Sequence, residues 1–397
     1  MLMLLLAVFA GALAVSALAV PGVLMLAPRL GLLDQPGVRK VHARTTPMGG
    51  GIAIWLGVAI PTLVLASLVM FPSVVSVASI QILRDSVAFS PGRAQQLLAI
   101  VVGGTALFVL GLVDDRWNLS WKIRLGLQLL IALAVALAGV RATVFVSQPW
   151  FGITITVIWI IVLTNAMNFL DNMDALSAGI GLIASLVFAA ILVLMVRSTA
   201  WSVAAAFLAL AGALAGFLIW NRPPAALFMG DSGSNLIGFL LATLTVVGTF
   251  YEANSSRHVI LAPVCVLAIP LYDFCSVILI RFSEGRSPFH GDKSHFSHRL
   301  VELGFRQSRA VLTIHLATLM TGLGGLLLYE VADWTGALLV MALILCVLAV
   351  IALVETVARR SVNDMQDSLA AVQADSSVPG EPGASIHVKA DSGDRIE

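Results

Sequence analysis

Acidic side chains in this chain are concentrated at the ends of long apolar runs. The boundary acids are Asp114 and Asp115, Asp171 and Asp174, Asp231, and Asp292. Of the 397 residues, 59% are hydrophobic and only 11% are charged. Hydrocarbon penalises ionisable groups heavily, so acids in such positions are functional candidates. Their repetition predicts one acidic, cation-binding site assembled on one membrane face.

The segment GLVDDRWNLSWKIRLGLQ places two carboxylates, Asp114 and Asp115, next to each other. Adjacent carboxylates repel each other unless a cation or a proton lies between them. A solvated helix end, with the acids paired to Arg116 and Lys122, is the alternative interpretation. Lys122 and Arg124 also supply positive charge that suits a phosphate.

The segment NAMNFLDNMDALSAG repeats oxygen-bearing side chains every three residues, at Asn165, Asn168, Asp171 and Asp174. This spacing puts successive members on neighbouring parts of one helix face if the helix continues. Asn and Asp oxygens suit a hard cation such as Mg²⁺, which keeps waters and binds substrate phosphates. A polar cap between two spans would explain one or two of these residues.

Two glycine-containing segments add backbone freedom. In FMGDSGSN, Gly230 and Gly233 would let the chain approach a ligand closely, while Asp231 offers a carboxylate. The neighbouring Ser and Asn residues could instead cap the next helix. In RKVHARTTPMGGG, the glycines are typical of a turn or a packing contact. The alternative interpretation is a nucleotide or phosphate contact, which the positive charges of the segment favour.

The segment SPFHGDKSHFSHRL is dense in imidazole and positive charge. Its polar members are His290, Asp292, Lys293, His295, His298 and Arg299. Lys and Arg supply charge and His donates hydrogen bonds near neutral pH, so the composition favours phosphate binding. A zinc site at His295 and His298 is the alternative, and no cysteine stands nearby to support it.

The elements that must position these residues are membrane helices. The mean hydropathy is +0.98, and runs near the roughly 20 residues that cross a bilayer recur along the chain. The sequence predicts an all-α, polytopic membrane protein, with one transmembrane domain over residues 1–360 and a disordered tail over 361–397. The eleven predicted spans cover residues 2–27, 49–71, 94–113, 125–140, 151–169, 175–196, 200–220, 235–250, 258–280, 310–329 and 334–353.

The distribution of Lys and Arg predicts the orientation. Eleven spans put sixteen of the 23 basic residues in loops on one side and five on the other, with two in the tail. Positive charge is enriched in cytoplasmic loops, so the N-terminus is expected outside and the C-terminus in the cytoplasm. All the boundary acids then lie on the cytoplasmic face. The three cysteines fall inside apolar runs, where they indicate packing and no disulfide.

Five segments, taken in order, resemble the polyprenyl-phosphate N-acetylhexosamine-1-phosphate transferases of glycosyltransferase family 4. They are VHARTTPMGG, GLVDD, NAMNFLDNMDALSAG, FMGDSGS and DKSHFSHRL. The last looks like the undecaprenyl-phosphate GlcNAc-1-phosphate transferase branch, whose pattern is D-R/K-x-H-x-H-H. Transfer of GlcNAc 1-phosphate from a UDP-sugar to undecaprenyl phosphate, with release of UMP, is the activity that this resemblance implies.

The resemblance also implies a setting and a cofactor. It places the protein in the lipid bilayer of the bacterial cytoplasmic membrane, at the first membrane step of a cell-envelope glycan. It implies Mg²⁺ or Mn²⁺ as the cofactor and no nucleic-acid partner, and it leaves a homodimer open.

Carried over by position, the resemblance implies roles for the acidic residues. Asp231 would bind the metal, with Asn168 as a second ligand. Asp114 would meet the lipid phosphate, as a base or as an orienting group, and Asp115 and Asp171 would be essential acids of the same site. The implied substrate-binding residues are Lys40, His42, Arg124, Asp174, Phe228, His290, Lys293, His295, His298 and Arg299.

The chain departs from the family pattern at four positions. Asn172 and Ala175 replace both glycines of DGxDG, Ser297 replaces the central histidine of H-x-H-H, and Arg124 stands where Lys is usual. Three alternatives therefore stay open: another donor such as UDP-MurNAc-pentapeptide, a catalytically inert relative, and a secondary transporter. Transporter sites lie near the bilayer midplane, whereas these acids stand at span ends.

Overall fold

A computed structural model describes residues 1–34, 45–70, 80–82, 84, 92–142, 148–196, 201–248, 257–287 and 294–376, with side chains to residue 356. These residues are almost entirely helical. The first seven helices are α1 (Leu2–Leu30), α2 (Gly50–Met70), α3 (Arg93–Trp117), α4 (Trp121–Leu137), α5 (Pro149–Phe169), α6 (Leu176–Ile191, continued by a π-helical turn, Leu192–Val196) and α7 (Trp201–Asn221). The remaining helices are α8 (Asp231–Val247), α9 (Ala262–Val266, after a 3₁₀ turn, Arg257–Leu261), α10 (Ala268–Ser283), α11 (Phe296–Glu302), α12 (Gln307–Leu327) and α13 (Trp334–Ser376).

Each predicted span falls on one of these helical segments. Within the described residues, eight helices are long and apolar enough to cross a bilayer, and the pair α9–α10 would make a ninth. The two remaining predicted spans coincide with α4 and α8, which have only 17 residues each. At 1.5 Å per residue these two helices are about 25 Å long, somewhat less than the hydrocarbon thickness. The structure is that of a polytopic helical membrane protein.

The ninth predicted span, 258–280, differs from the expectation of one continuous helix. Its two halves, Arg257–Val266 and Ala268–Ser283, meet at a bend of 65°. Pro270 explains the break, because proline has no N–H for the carbonyl of Val266 and its ring clashes with that carbonyl. The bend gives α10 its own direction, and α10 carries a buried aspartate described below.

Helix α8 lies at the centre of the bundle. Nearly every residue from Ser232 to Val247 is buried, and the helix packs against α2, α3 and α5. A helix that is buried on all sides by other helices holds its first residue firmly. That first residue is Asp231, so the packing of α8 fixes the position of one candidate metal ligand.

A short two-stranded sheet connects the first two helices to the centre. Strand β1 (Leu33–Asp34) pairs antiparallel with β2 (Thr46–Pro47), and Met48 forms a parallel bridge with Phe228. The backbone continues this contact through Gly50 N–H to Phe228 O (2.9 Å) and Gly51 N–H to Met229 O (3.0 Å). The start of α2 is thereby joined to the loop that precedes α8.

The chain forms two compact units, Met1–Val350 and Ile351–Glu397. All of the site described below lies in the first unit. In the second, α13 continues as far as Ser376, so the first part of the segment predicted as a disordered tail, 361–397, is helical. No proline or glycine interrupts the helix formers there before Pro379. Residues 377–397 lie outside the described residues.

Candidate active site

A cation between two carboxylates forms the centre of the site. Arg124, in the first turn of α4, donates through Nη1 to Asp114 Oδ2 (2.6 Å) and to Asp231 Oδ2 (2.7 Å). Asp114 is 5% exposed and its other oxygen accepts Leu119 N–H (2.7 Å), whereas the Asp231 side chain is 29% exposed. Two acids from separate helices therefore share one positive charge at the edge of solvent.

Asp115 holds the N-terminus of α8. Its Oδ1 accepts Asp231 N–H (2.7 Å) and its Oδ2 accepts Ser232 N–H (3.2 Å). The first N–H groups of a helix have no partner within the helix, so a carboxylate from another helix satisfies them well. Asp115 thus acts on the candidate site by positioning Asp231.

Small residues permit this close approach. Gly230 has a φ of 76°, and a Cβ atom there would lie 2.6 Å from Asp115 Oδ2. A Cβ atom at Gly111, one turn before the paired acids, would lie 2.4 Å from Asp231 O. In the same way, a Cβ atom at Gly51 would lie 2.4 Å from Gly233 N. The predicted packing interpretation of this glycine run is confirmed for Gly51, in the first turn of α2.

Asn168 joins the last turn of α5 to the same centre. Its Nδ2 donates to Asp231 Oδ1 (2.9 Å) and to Ser234 Oγ (3.1 Å). Asn165, one turn earlier, donates instead to Gln128 Oε1 (2.9 Å) and to Ile161 O (2.8 Å). The first two members of the three-residue repeat therefore have different roles: Asn168 contacts the acids, and Asn165 lies in the contact between α4 and α5.

The helix does not continue through the repeat. Residues 170–175, here named the carboxylate loop, connect α5 to α6 and carry Asp171 and Asp174. Part of the Asp171 side chain contacts solvent, yet burial raises the pKa of its carboxyl to about 8. The negative charges of Asp115 and Asp174 raise that pKa further, and a hydrogen bond from the backbone of Gly230 opposes the shift. Asp171 is therefore close to the other acids.

Two hydrogen bonds anchor the carboxylate loop, one to the loop before α8 and one to the last residue of α7. Asp174 Oδ2 accepts Ala225 N–H (3.0 Å), and buried Asn221 accepts Ala175 N–H (2.8 Å) while donating to Leu227 O (2.9 Å). Ala175 has a φ of 64°, a left-handed conformation that glycine adopts without strain. One departure from DGxDG thus keeps the backbone shape that the usual glycine would permit.

A buried aspartate of α10 organises the histidine-rich residues 294–299, here named the histidine segment. Asp273 is fully buried, and its Oδ2 lies 3.0 Å from His295 Nδ1, while its Oδ1 accepts Phe296 N–H (2.6 Å). The second bond caps the start of α11. The His295 ring also packs edge-on against Phe169, with centroids 5.4 Å apart, which brings it next to the end of α5.

Two further residues of the histidine segment, His298 and Arg299, have different surroundings. The ring of His298 lies 6.4 Å from the ring of His295, centroid to centroid. Arg299 is buried, donates to Ser276 Oγ (3.0 Å) and lies over the ring of Tyr272 at 5.9 Å. These contacts tie Arg299 to α10, and its predicted contact with the substrate stays a prediction.

Phe228 lies three residues before Asp231, where its N–H donates to Pro47 O (2.9 Å) and its carbonyl accepts Gly50 N–H. Its predicted contact with the substrate stays a prediction. Five other residues named from the sequence lie outside the described residues: Lys40, His42, His290, Asp292 and Lys293.

Comparisons with known proteins show which family this chain resembles. The glycosyl transferase family 4 profile matches residues 97–249. A decaprenyl-phosphate N-acetylglucosaminephosphotransferase of Mycolicibacterium smegmatis is 34% identical over 74% of each chain. The undecaprenyl-phosphate alpha-N-acetylglucosaminyl 1-phosphate transferase of Yersinia pestis is 28% identical, over 75% of this chain and 77% of the relative. The enzyme of the same name from Escherichia coli K12 is 27% identical, over 78% of this chain and 80% of the relative. This chain belongs to glycosyl transferase family 4.

The matched family region holds most of the acidic centre but not all of the site. It includes Asp114, Arg124, Asn168 and Asp231, and it ends before α10 and the histidine segment. Asp273 lies beyond it and was missed by sequence reasoning, which examined acids at span ends. A single acid inside the apolar run VLAIPLYDFCSVILI was the available signal.

The acidic centre offers oxygen donors, which suit a hard cation. Within the described ranges, no group of three or more His, Cys, Asp or Glu side chains has a metal-site arrangement, and the zinc alternative at His295 and His298 stays a prediction. Mg²⁺ needs fewer protein ligands, because it keeps waters and shares substrate phosphates. The position of Arg124 between Asp114 and Asp231 demonstrates that these oxygens accommodate positive charge.

Proposed function

We propose that this protein transfers an N-acetylhexosamine 1-phosphate, foremost GlcNAc 1-phosphate, from a UDP-sugar to undecaprenyl phosphate and releases UMP. One observation carries the proposal: Arg124 joins Asp114 and Asp231 at the solvent edge of a carboxylate-rich site. The family membership and the names of the relatives support the same reaction.

The reaction joins two phosphates. An oxygen of the lipid phosphate attacks the phosphorus that bears the sugar, the bond from that phosphorus to the bridging oxygen breaks, and UMP leaves with that oxygen. Both reactants are highly negative, so catalysis depends on positioning and charge neutralisation. A phosphate monoester has a second pKa of about 6, so the nucleophile is already largely ionised at neutral pH. Asp114 then serves best as an orienting group.

The exposure of Arg124 supports it as the group that receives the lipid phosphate. Its side chain is 34% exposed, while Asp114 is buried beside it. A phosphate approaching from solvent would find a positive charge with a fixed carboxylate behind it, and only one Arg nitrogen is engaged with both acids. The remaining guanidinium N–H groups are suited to phosphate oxygens.

Asp231 and Asn168 would hold Mg²⁺ through their side-chain oxygens. When bound, the ion would neutralise charge on the diphosphate. Asn168 meets this requirement by a rotation of its amide, since nitrogen and oxygen of an amide are assigned from the hydrogen-bond network. Asp115 would keep Asp231 in place by its two bonds to the start of α8.

The donor side of the proposal comprises the carboxylate loop and the histidine segment. Asp174 and Phe228 would contact the nucleotide, and His295 and His298 would contact the diphosphate or the sugar, with Lys40, His42, His290 and Lys293 added from the sequence. His295 is held by Asp273 in one ring orientation, which suits an imidazole that donates to phosphate. The site would face the cytoplasm of a bacterial cytoplasmic membrane.

The experiment uses purified full-length protein in nanodiscs with undecaprenyl phosphate, Mg²⁺ and one UDP-sugar at a time. UMP release and formation of the lipid-linked sugar are measured together. We expect both products with UDP-GlcNAc and loss of both with EDTA. Competition by UDP-MurNAc-pentapeptide and by other UDP-N-acetylhexosamines identifies the preferred donor.

Two substitutions connect the activity to the site. Asp231→Asn should abolish turnover without unfolding the protein, because it removes the charge shared with Arg124. Asp333→Asn is the control, since Asp333 is likewise an aspartate near the start of a helix but is exposed and, among the described residues, its side chain accepts only a backbone N–H, from Gly336. Absence of UMP release with every UDP-N-acetylhexosamine, or full activity of Asp231→Asn, contradicts the proposal.

A further inference from the structure

Asn172 and Ser297 are distant in sequence but in contact in the structure. Ser297 Oγ donates to Asn172 Oδ1 (2.6 Å), and Ser297 is fully buried. The orientation of the Asn172 amide is fixed independently, because its Nδ2 donates to Phe169 O (2.7 Å). The hydrogen bond therefore joins the carboxylate loop to the histidine segment.

The same two positions are two of the departures noted in the sequence. Where the family pattern has glycine and histidine, this chain has Asn172 and Ser297. One side of the contact has gained an amide and the other has lost an imidazole, so the volume at the contact is roughly kept. A buried hydroxyl needs a hydrogen-bond partner, and the amide supplies it. The two changes are therefore complementary in size and in polarity.

The contact belongs to a closed ring of interactions. Asn172 binds the backbone of Phe169, the ring of Phe169 packs against His295, and His295 is two residues from Ser297. Asp273 holds the other side of His295. Loss of the Asn172–Ser297 bond would release the histidine segment on the side that faces the acids, while Asp273 would still hold its start.

We propose that Asn172 and Ser297 form a matched positioning pair that fixes the histidine segment against the carboxylate loop and thereby sets recognition of the sugar-nucleotide donor. The inference rests on the proposed function, because both elements are assigned there to the donor. The lipid phosphate is assigned to Arg124 and Asp114, which the pair does not contact. Disturbing the pair should therefore raise KM for the donor and leave KM for the lipid phosphate unchanged.

The test is a set of four variants in the nanodisc assay: Ser297→His, Asn172→Gly, the double variant, and Ser297→Ala. Ser297→His puts an imidazole into filled space, and Asn172→Gly leaves the Ser297 hydroxyl without its amide partner. We expect each to lower kcat/KM for the donor by about tenfold or more, and the double variant to return within about threefold of the original protein. Ser297→Ala, which only deletes the hydroxyl, should raise the donor KM by about fivefold.

Thr245→Val is the control for a merely structural hydrogen bond. Thr245 accepts Trp159 Nε1–H (3.0 Å) between two helices and belongs to neither proposed substrate site. It should lower thermal stability without a change in donor KM. Additive losses in the double variant, or an unchanged donor KM in Ser297→Ala, overturn the inference. Absence of transferase activity in the unmodified protein would instead overturn the proposed function, so the two failures are distinguishable.

Discussion

Arg124 contacts Asp114 and Asp231 through a single nitrogen, Nη1. Arg and Lys are poorly interchangeable where a guanidinium binds one partner with both arms, but the three donors of an ammonium group can contact both acids and one phosphate oxygen. We therefore expect Arg124→Lys to keep kcat/KM within about tenfold, and Arg124→Gln to lose about a hundredfold or more, in the UMP-release assay. The presence of Arg where the family usually has Lys would then be a conservative change. Equal losses in the two variants would contradict this interpretation.

Asp171 gives the site a specific pH dependence. With its pKa raised to about 8, the carboxyl is mainly protonated and uncharged at neutral pH. A nearby cation favours the carboxylate, so binding releases the proton and becomes tighter as pH rises. We expect the apparent Kd for Mn²⁺ to fall by up to about tenfold per pH unit from pH 6.5 to 8 and to level off above.

Asp171→Asn removes this titration without much change in shape. Its Mn²⁺ affinity, measured by calorimetry, should be weaker above pH 8 and nearly constant across the same range. If the Mn²⁺ affinity of the variant changed with pH as steeply as that of the original protein, the proton released on binding would belong to another group.

The connection between α5 and α6 requires a left-handed backbone conformation at Ala175, directly before the start of α6. A left-handed non-glycine residue costs about 1–2 kcal/mol, so Ala175→Gly should raise the free energy of unfolding by about 1 kcal/mol. Ala178→Gly is the control: it lies three residues later inside α6, where glycine should lower the free energy of unfolding by about 1 kcal/mol. Thermal unfolding in detergent measures both, and a change of the same sign in both would contradict the assignment.

The junction of α10 and α11 depends on Asp273. Its two oxygens serve His295 and Phe296 N–H, and Asn could accept only one of these hydrogens. We expect Asp273→Asn to lower kcat by about tenfold or more, since His295 would lose the partner that holds its ring. A purely structural effect would reduce thermal stability and leave kcat of the folded protein unchanged.

Sequence reasoning predicted the elements better than their contacts. Apolar runs of bilayer length identify helices directly, and all eleven fell on helical segments, although the break before Pro270 was missed despite the visible proline. The acids of the site were also visible. The different roles of these acids were not visible in the sequence. The cap that Asp115 provides on α8 and the Asn172–Ser297 bond both depend on contacts between segments more than a hundred residues apart, which only the packing of the helices determines.

At the scale of the whole molecule, connectivity brings the acids to one end of the bundle. The end of α3, the end of α5 and the start of α8 all reach the acidic centre, since Asp115 and Asn168 both bind Asp231. The end of α4 and the start of α5 must then lie at the opposite end. The excess of sixteen basic residues over five predicts that the site end faces the cytoplasm.

Labelling of single cysteines measures this orientation. In a background without Cys265, Cys275 and Cys346, Arg222→Cys marks the site end and Gln148→Cys marks the other, and both positions are exposed. A membrane-impermeant maleimide should label Gln148→Cys in intact spheroplasts and Arg222→Cys only in inverted vesicles. The reverse pattern would move the site to the outer face, where a UDP-sugar made in the cytoplasm could not reach it. Labelling of both variants from one side would show that the number of crossings between α4 and α8 differs from the eleven-span prediction.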